Sequence, residues 1–183
     1  MATNISLCSN ALVLLGDRPI ASFNDEGAGA ESASNLYESC YNYLLSLHRW
    51  RFATKKANLS RSTTRPTNQW AYQFQLPSDF IMLITTYPVS EFEIYGDKIY
   101  TNQDACAIDY VYRISESQLP HYFAKVCEYY LATAFAIPVT GNSTRLQEMQ
   151  NLYLMHLKQA KNIDSTSRPN QGITDSPLTD TRW

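Results

Sequence analysis

Two carboxylates, Glu91 and Glu93, have the best spacing for catalysis in this sequence. At positions i and i+2 of a strand they would share one face, as the acid and base of a glycosidase do. A solvated strand face explains the same spacing, and charges there would also protect a sheet edge from unwanted pairing. We therefore predict that the chain is not an enzyme and keep a hydrolase role for this pair as an alternative.

Other residue types that perform chemistry are scattered along the chain. His48, His121 and His156 lie far apart, and the sequence has no H-x-x-x-H, C-x-x-C, G-x-S-x-G or P-loop motif. The four cysteines are also distant from one another, which is typical of buried free thiols in a reducing compartment. These cysteines are Cys8, Cys40, Cys106 and Cys127. We expect no catalytic residue, no metal site and no cofactor.

Positive charge is concentrated in one stretch of the chain, between Ser39 and Ser78, where no Asp or Glu occurs. The basic residues of this stretch are Arg49, Arg51, Lys55, Lys56, Arg61 and Arg65. Trp50, Phe52 and Trp70 are interleaved with them. A solvated strand and loop whose aromatic residues face the core is the favoured interpretation of this composition, and a surface that contacts nucleic acid or an acidic partner is the alternative. The net charge of −2 argues against a general polyanion binder, so the alternative that we keep for these residues is a local channel or partner contact.

The secondary structure that must position these residues is predicted to be helical at both ends of the chain. Apolar residues at 3–4 spacing predict four helices. They cover about Thr3 to Leu15, about Ala30 to Arg49, a segment from Pro120 that ends at Pro138 to Gly141, and a segment from Asn142 or Ser143 onward. Gly16 is expected to end the first helix in a left-handed conformation.

The middle of the chain has the pattern of strands. The predicted strands are Arg51 to Ser60, Trp70 to Leu76, Phe80 to Tyr87, Glu91 to Tyr95, Lys98 to Asn102 and Cys106 to Ile114. Gly96-Asp97 is a two-residue hairpin turn. We expect one antiparallel sheet of four to six strands, and an α+β fold in which this sheet is inserted into a four-helix bundle. The predicted boundaries are 1–50 and 118–163 for the two helical pairs, 51–117 for the β-rich insertion and 164–183 for an extended C-terminal arm.

The last twenty residues, Asp164 to Trp183, have too little apolar surface to fold alone. Prolines and a glycine interrupt any helix or strand there. Extended, the segment would reach about 60–70 Å, far enough to cross a neighbouring subunit. We predict a docking arm in an assembly, with contacts made by Ile173, Leu178, Arg182 and Trp183.

The first fifteen residues lack the basic start and continuous apolar core of a signal peptide. No apolar run approaches the roughly 20 residues needed to cross a bilayer. We expect a protein that is made in a cytoplasm, stays soluble there and has no membrane partner.

Several short motifs, in their order and spacing, resemble one known family. They are Leu14-Leu15-Gly16-Asp17-Arg18-Pro19-Ile20, Trp50-Arg51-Phe52-Ala53, Trp70-Ala71-Tyr72-Gln73-Phe74-Gln75-Leu76-Pro77-Ser78-Asp79, Ile108-Asp109-Tyr110-Val111-Tyr112-Arg113 and Ala132-Thr133-Ala134-Phe135-Ala136-Ile137-Pro138-Val139-Thr140. With these motifs the chain resembles, over nearly its whole length, the head-to-tail adaptor proteins of tailed bacteriophages, the tail tubular protein A group.

The resemblance implies a structural connector in the neck of a virion, made in the host cytoplasm. It implies a homo-oligomeric ring, usually of twelve copies, between the portal protein and a tail nozzle or other tail component, with the genome passing through the lumen. It carries over no catalytic residue. Two alternatives are a virion-associated cell-wall hydrolase that uses Glu91 and Glu93, and a DNA-binding module that uses the basic stretch.

Overall fold

The computed structural model of the chain describes residues 2–67 and 69–166. This part of the chain contains four α-helices and six strands, so the predicted mixture of helices and antiparallel strands is confirmed. The helices are α1 (Asn4–Leu15), α2 (Ala28–Ser46), α3 (His121–Thr140) and α4 (Ser143–Thr166). The strands are β1 (Thr54–Asn58), β2 (Tyr72–Gln75), β3 (Phe80–Tyr87), β4 (Phe92–Tyr95), β5 (Lys98–Thr101) and β6 (Ala107–Tyr112). Two short 3-10 helices, Arg51–Ala53 and Glu116–Gln118, follow α2 and precede α3.

Both ends of helix α1 are capped by local sequence. The Ser6 backbone N–H donates to Thr3 Oγ1 at 3.0 Å, and the Thr3 N–H donates to Ser6 Oγ at 2.8 Å, which satisfies two N–H groups at the helix start. Gly16 has a φ of 84° and donates its N–H to Val13 O at 3.0 Å. The predicted left-handed helix end at Gly16 is therefore confirmed.

Helix α2 ends at Ser46, three residues before its predicted end at Arg49. Trp50 folds back over the end of α2, and its indole N–H donates to Leu44 O at 2.9 Å. The Trp50 side chain is fully buried. The chain leaves the helix early because burial of this large aromatic side chain requires a turn immediately after α2.

Helix α3 ends at Thr140 with Gly141 as its cap, within the predicted end at Pro138 to Gly141. Pro138 lies in the last turn, where its missing N–H removes one helical hydrogen bond and the turn still closes with Gly141 N–H donating to Ile137 O at 2.9 Å. Helix α4 reaches Thr166, three residues past 163, where the helical region was predicted to end, so that boundary is wrong.

The strands form two three-stranded antiparallel sheets, in the orders β1-β6-β3 and β2-β5-β4. The predicted hairpin of β4 and β5 is confirmed, with Ile94 opposite Ile99 and Gly96 in the turn at a φ of 61°. The prediction of a single sheet is wrong. Ile108 and Tyr110 of β6 pack with Phe74 and Ile99 of the other sheet, so apolar faces of the two sheets are buried together.

Strand β6 connects the two hydrophobic cores. Its alternating side chains point to opposite faces: Ile108 and Tyr110 belong to the core between the sheets, while Val111 belongs to the larger helical core. In the helical core α3 packs against α1, α2 and α4. Aromatic rings join the helices to the start of the β-region, with the Trp50 and Phe123 ring centroids 4.8 Å apart. The basic stretch therefore begins on a rigid junction.

Candidate functional site

The six basic residues of the predicted contact stretch are all exposed, but they fall into two classes. The two lysines have partners. Lys55 Nζ lies 2.8 Å from Asp79 Oδ2 and 3.7 Å from the centre of the Tyr112 ring, and Lys56 Nζ lies 3.6 Å from Asp109 Oδ2. Their charges are largely compensated within the fold.

The four arginines make no ion pair with any residue in the described ranges 2–67 and 69–166. Arg49 and Arg51 line one cleft, and Arg61 and Arg65 line another. The tryptophans interleaved with them point inward, and both Trp50 and Trp70 are buried. The structure thus divides the basic stretch into lysines paired with acids, buried tryptophans and arginines without an ion-pair partner among the described residues.

The Arg61–Arg65 cleft has a volume of about 460 Å³. Its described lining contains two arginines, three hydroxyl side chains, an aromatic ring and an amide, and it contains no carboxylate. The residues that supply these groups are Arg61, Ser62, Thr63, Thr64, Arg65, Tyr72 and Gln73. The guanidinium carbon of Arg61 lies 5.1 Å from the centre of the Tyr72 ring, at cation–π distance. The cleft is cationic and rich in hydrogen-bond donors.

Hydrogen bonds to β2 give this cleft its shape. The Ser62 N–H donates to Gln73 O at 2.9 Å, and Arg61 forms a β-bridge with Phe74. The Gln73 side chain, which is 5% exposed, donates from Nε2 to Ser62 Oγ at 3.2 Å and to Thr64 O at 2.8 Å. The loop that carries the arginines is therefore fixed along the outer edge of β2.

The Arg49–Arg51 cleft has a volume of about 480 Å³ and contains a buried carboxylate, Asp164. Asp164 accepts the backbone N–H of Arg51 with both oxygens at 3.2 Å and the Tyr122 hydroxyl at 3.1 Å. His48 Nε2 lies 3.7 Å from Asp164 Oδ2. Burial lowers the pKa of His48 below its ordinary value, against the opposing effect of Asp164. This cleft combines both signs of charge.

Glu91 and Glu93 do not form a free acid–base pair. Glu93 Oε2 accepts the Trp70 indole N–H at 2.7 Å and the Tyr95 hydroxyl at 2.7 Å. These hydrogen bonds lower the pKa of Glu93, whereas a catalytic acid of a glycosidase needs a raised pKa. Glu91 precedes β4 and is exposed. The arrangement fixes Trp70 against the hairpin.

The four cysteines are buried and form no disulfide, as predicted. Burial raises the pKa of the Cys8 thiol to about 12 and raises that of Cys127 strongly. His156 stacks on Tyr129 with ring centroids 4.4 Å apart, which agrees with its predicted place at the core boundary. No group of three or more potential metal ligands occurs in the part of the chain that the structure describes.

Several large apolar side chains are exposed among the described residues. One group lies in the edge strand β4 or in the segment before it, and Val89 of this group is 82% exposed. This group comprises Tyr87, Val89, Phe92, Ile94 and Tyr95. The others are distributed over the four helices and comprise Val13, Tyr43, Ile137, Leu154, Met155 and Ile163. Exposed aromatic and aliphatic side chains of these types are candidate contacts with other chains.

The chain matches no family model and no curated protein. Among the described helices, none has both the length and the apolar composition to cross a bilayer. The predicted arm contacts Ile173, Leu178, Arg182 and Trp183 lie outside the described residues and stay predictions.

Two features of the structure, the Arg113 network and the Gln73 contacts, have no local sequence pattern. Arg113 donates from Nε and Nη2 to the two Glu38 oxygens at 2.8 and 3.0 Å, across 75 positions, and Nη2 donates to Glu116 Oε1 at 2.6 Å. This network joins the end of β6 to helix α2. The role of Gln73 in shaping the Arg61–Arg65 cleft is equally non-local, because it depends on β2 meeting the loop. The positive charge of the Arg61–Arg65 cleft, in contrast, was indicated by the sequence, because no acidic residue occurs between Ser39 and Ser78.

Proposed function

We propose that this chain is the head-to-tail connector of a tailed-phage virion. Copies of the chain, twelve by the family resemblance, form a ring between the portal protein and a tail nozzle or other tail component, and the genome passes through the lumen. In this proposal α1 to α4 act as a four-helix bundle with the β-rich region inserted between its halves. The role is geometric and needs no catalytic residue.

The element order is the observation that carries this proposal. Two helices, six strands and two helices follow one another, an order that suits a helical bundle with an inserted β-rich part, the architecture expected of this family. The resembling motifs lie at structural junctions: Gly16 ends α1, Trp50 is buried at the end of α2 and Tyr110 lies between the two sheets. Residues that fix a shared architecture are expected at such positions.

Surface composition supports an assembly. The exposed apolar side chains around β4 and those on the helices are available for contacts between subunits or with tail components. A ring needs two different surfaces on each subunit, because each copy contacts one neighbour on either side. We assign these apolar side chains to such contacts.

The mass of the purified chain, alone and mixed with the portal ring of the same virus, tests the connector role. We expect a complex with several copies of the chain on each portal ring, measured by native mass spectrometry or sedimentation. A chain that keeps the same mass with and without the portal ring would contradict the proposal. The portal ring alone provides the reference mass.

Deleting residues 170–183 tests the arm. The truncated protein should keep its folded stability, because Asp164 and the end of α4 precede the deletion, and it should lose docking to the portal ring. Trp183→Ala should weaken docking by at least about tenfold, since a buried Trp is a typical binding hot spot, whereas the neighbouring Thr179→Ala should leave docking unchanged. Normal docking by the truncated protein would rule out an arm contact.

A further inference from the structure

We propose that the Arg61–Arg65 cleft is a phosphate-binding site that takes the phosphodiester backbone of nucleic acid without reading its base sequence. The site consists of the two guanidinium groups, the hydroxyls of Ser62 and Thr64, and the Tyr72 ring. It is distinct from the predicted arm and from the exposed apolar side chains around β4 and on the helices.

Charge selects the class of ligand. Neither arginine has an ion-pair partner within residues 2–67 and 69–166, and the described lining of the cleft has no carboxylate. The other basic cleft differs, because Asp164 lies in it and compensates part of its charge. An anion therefore gains more in the Arg61–Arg65 cleft than anywhere else on the basic stretch.

Geometry favours phosphate among the anions. A guanidinium group presents several N–H donors in a planar fork that matches two phosphate oxygens, and hydroxyl groups add further donors. Each strand of duplex DNA carries one negative charge per about 3.4 Å of helix axis, so successive phosphates of one backbone offer a separate anion to each arginine. A single carboxylate would occupy one arginine and leave the other uncompensated.

The cleft is largely formed before any ligand binds. The Gln73 amide holds Ser62 and Thr64 in place, and the Tyr72 ring restricts Arg61. Such preorganisation lowers the entropic cost of binding. The arginines lie on an exposed loop beside β2 and not on a helix that enters the major groove, so we expect backbone contact without sequence specificity.

Binding of a labelled duplex of mixed sequence, followed by fluorescence anisotropy between about 25 and 200 mM KCl, tests the site. The test variant is Arg61→Gln with Arg65→Gln. The matched control is Arg145→Gln with Lys158→Gln, two exposed cations on α4 whose loss changes the net charge by the same −2. Circular dichroism and thermal unfolding verify that both proteins are folded.

We expect the test variant to lose at least about tenfold in affinity at the lowest salt, and its slope of log K against log [salt] to fall by about 1–2. The control should stay within about twofold of the parent, since its charges lie outside the cleft. An equal loss of duplex affinity in the control, or no duplex binding by the parent, would overturn the proposal of a phosphate site in this cleft.

Two competitors identify the ligand. Inorganic phosphate at constant ionic strength should displace the duplex poorly, because a single phosphate replaces only part of the contacts that successive backbone phosphates make and releases no condensed counterions. Polyglutamate of equal charge should also compete poorly. Effective competition by either would overturn the assignment to nucleic acid, in favour of free phosphate or an acidic protein. The connector role is tested separately by the mass with the portal ring, so either proposal can fail alone.

Discussion

Both carboxylate oxygens of Asp164 lie 3.2 Å from the backbone nitrogen of Arg51, across 113 positions of the chain. The Asp164 side chain is 1% exposed and also accepts the Tyr122 hydroxyl. One carboxylate thereby joins the end of α4, the beginning of α3 and the junction between α2 and β1. A buried carboxylate with these partners contributes to stability and holds the last described turns of α4 against the rest of the fold.

Replacing Asp164 with Ala should lower the free energy of unfolding by about 2–4 kcal/mol, because it leaves a backbone N–H and a tyrosine hydroxyl without their acceptor. Urea unfolding followed by circular dichroism measures the change. Ser165→Ala, an exposed neighbour in the same helical turn, is the control and should change stability by less than about 0.5 kcal/mol. Equal stability of Asp164→Ala and the parent would show that this contact contributes nothing to the fold.

Arg113→Gln should destabilise the protein by about 1–3 kcal/mol at neutral pH, since Glu116 would lose a charged donor in a partly buried site. Hydrogen bonds from Arg113 lower the pKa of Glu38. Burial raises the pKa of Glu116, but hydrogen bonds from Arg113, its own backbone and Tyr37 outweigh burial and hold the pKa below its ordinary value.

The pH dependence of that loss follows from these lowered pKa values. A carboxyl with a depressed pKa in the folded state stabilises the protein above its unfolded pKa, about 4.3 for Glu, and loses this contribution as pH falls through the folded value. The difference in stability between parent and Arg113→Gln should therefore be largest above about pH 5 and shrink in more acidic solution. A stability difference between the two proteins that grows on acidification would contradict the lowered pKa values of Glu38 and Glu116. Arg145→Gln, which breaks an exposed pair with Glu148, should cost at most about 0.5 kcal/mol.

The cysteines should react slowly with a disulfide reagent in the native protein. All four are buried, and burial raises the pKa of the Cys8 thiol, so little reactive thiolate is accessible at about pH 8. Four thiols should react rapidly once the protein is unfolded in guanidinium chloride, with glutathione as the reference thiol. A native thiol that reacts as fast as glutathione would show that its burial is incomplete.

The parent protein should not hydrolyse peptidoglycan, because Glu93 is hydrogen-bonded to Trp70 and Tyr95 and its pKa is lowered. Release of reducing sugars from purified cell walls measures this activity, with a known muramidase as positive control. Activity that is present in the parent and lost in Glu91→Gln with Glu93→Gln would favour the hydrolase alternative over the connector.

Local sequence determined the elements whose causes are local. Apolar residues at helical spacing located the four helices, Gly16 marked the end of α1, and Gly96-Asp97 marked the turn between β4 and β5. These features depend on interactions within a few residues, namely backbone conformation, capping and side-chain periodicity. The absence of acidic residues between Ser39 and Ser78 likewise identified the cationic part of the chain.

Tertiary structure decided every feature that joins distant segments. Strand periodicity shows which side of a strand is buried but not which strand lies beside it, so the division into two sheets followed only from packing. The continuation of α4 past Asp164 depends on partners that lie 42 and 113 positions away. The sequence presented six equivalent cations. Only the fold placed acids beside the lysines, Asp164 in the Arg49–Arg51 cleft and no described carboxylate in the lining of the Arg61–Arg65 cleft, because ion pairing depends on distance in space and not along the chain.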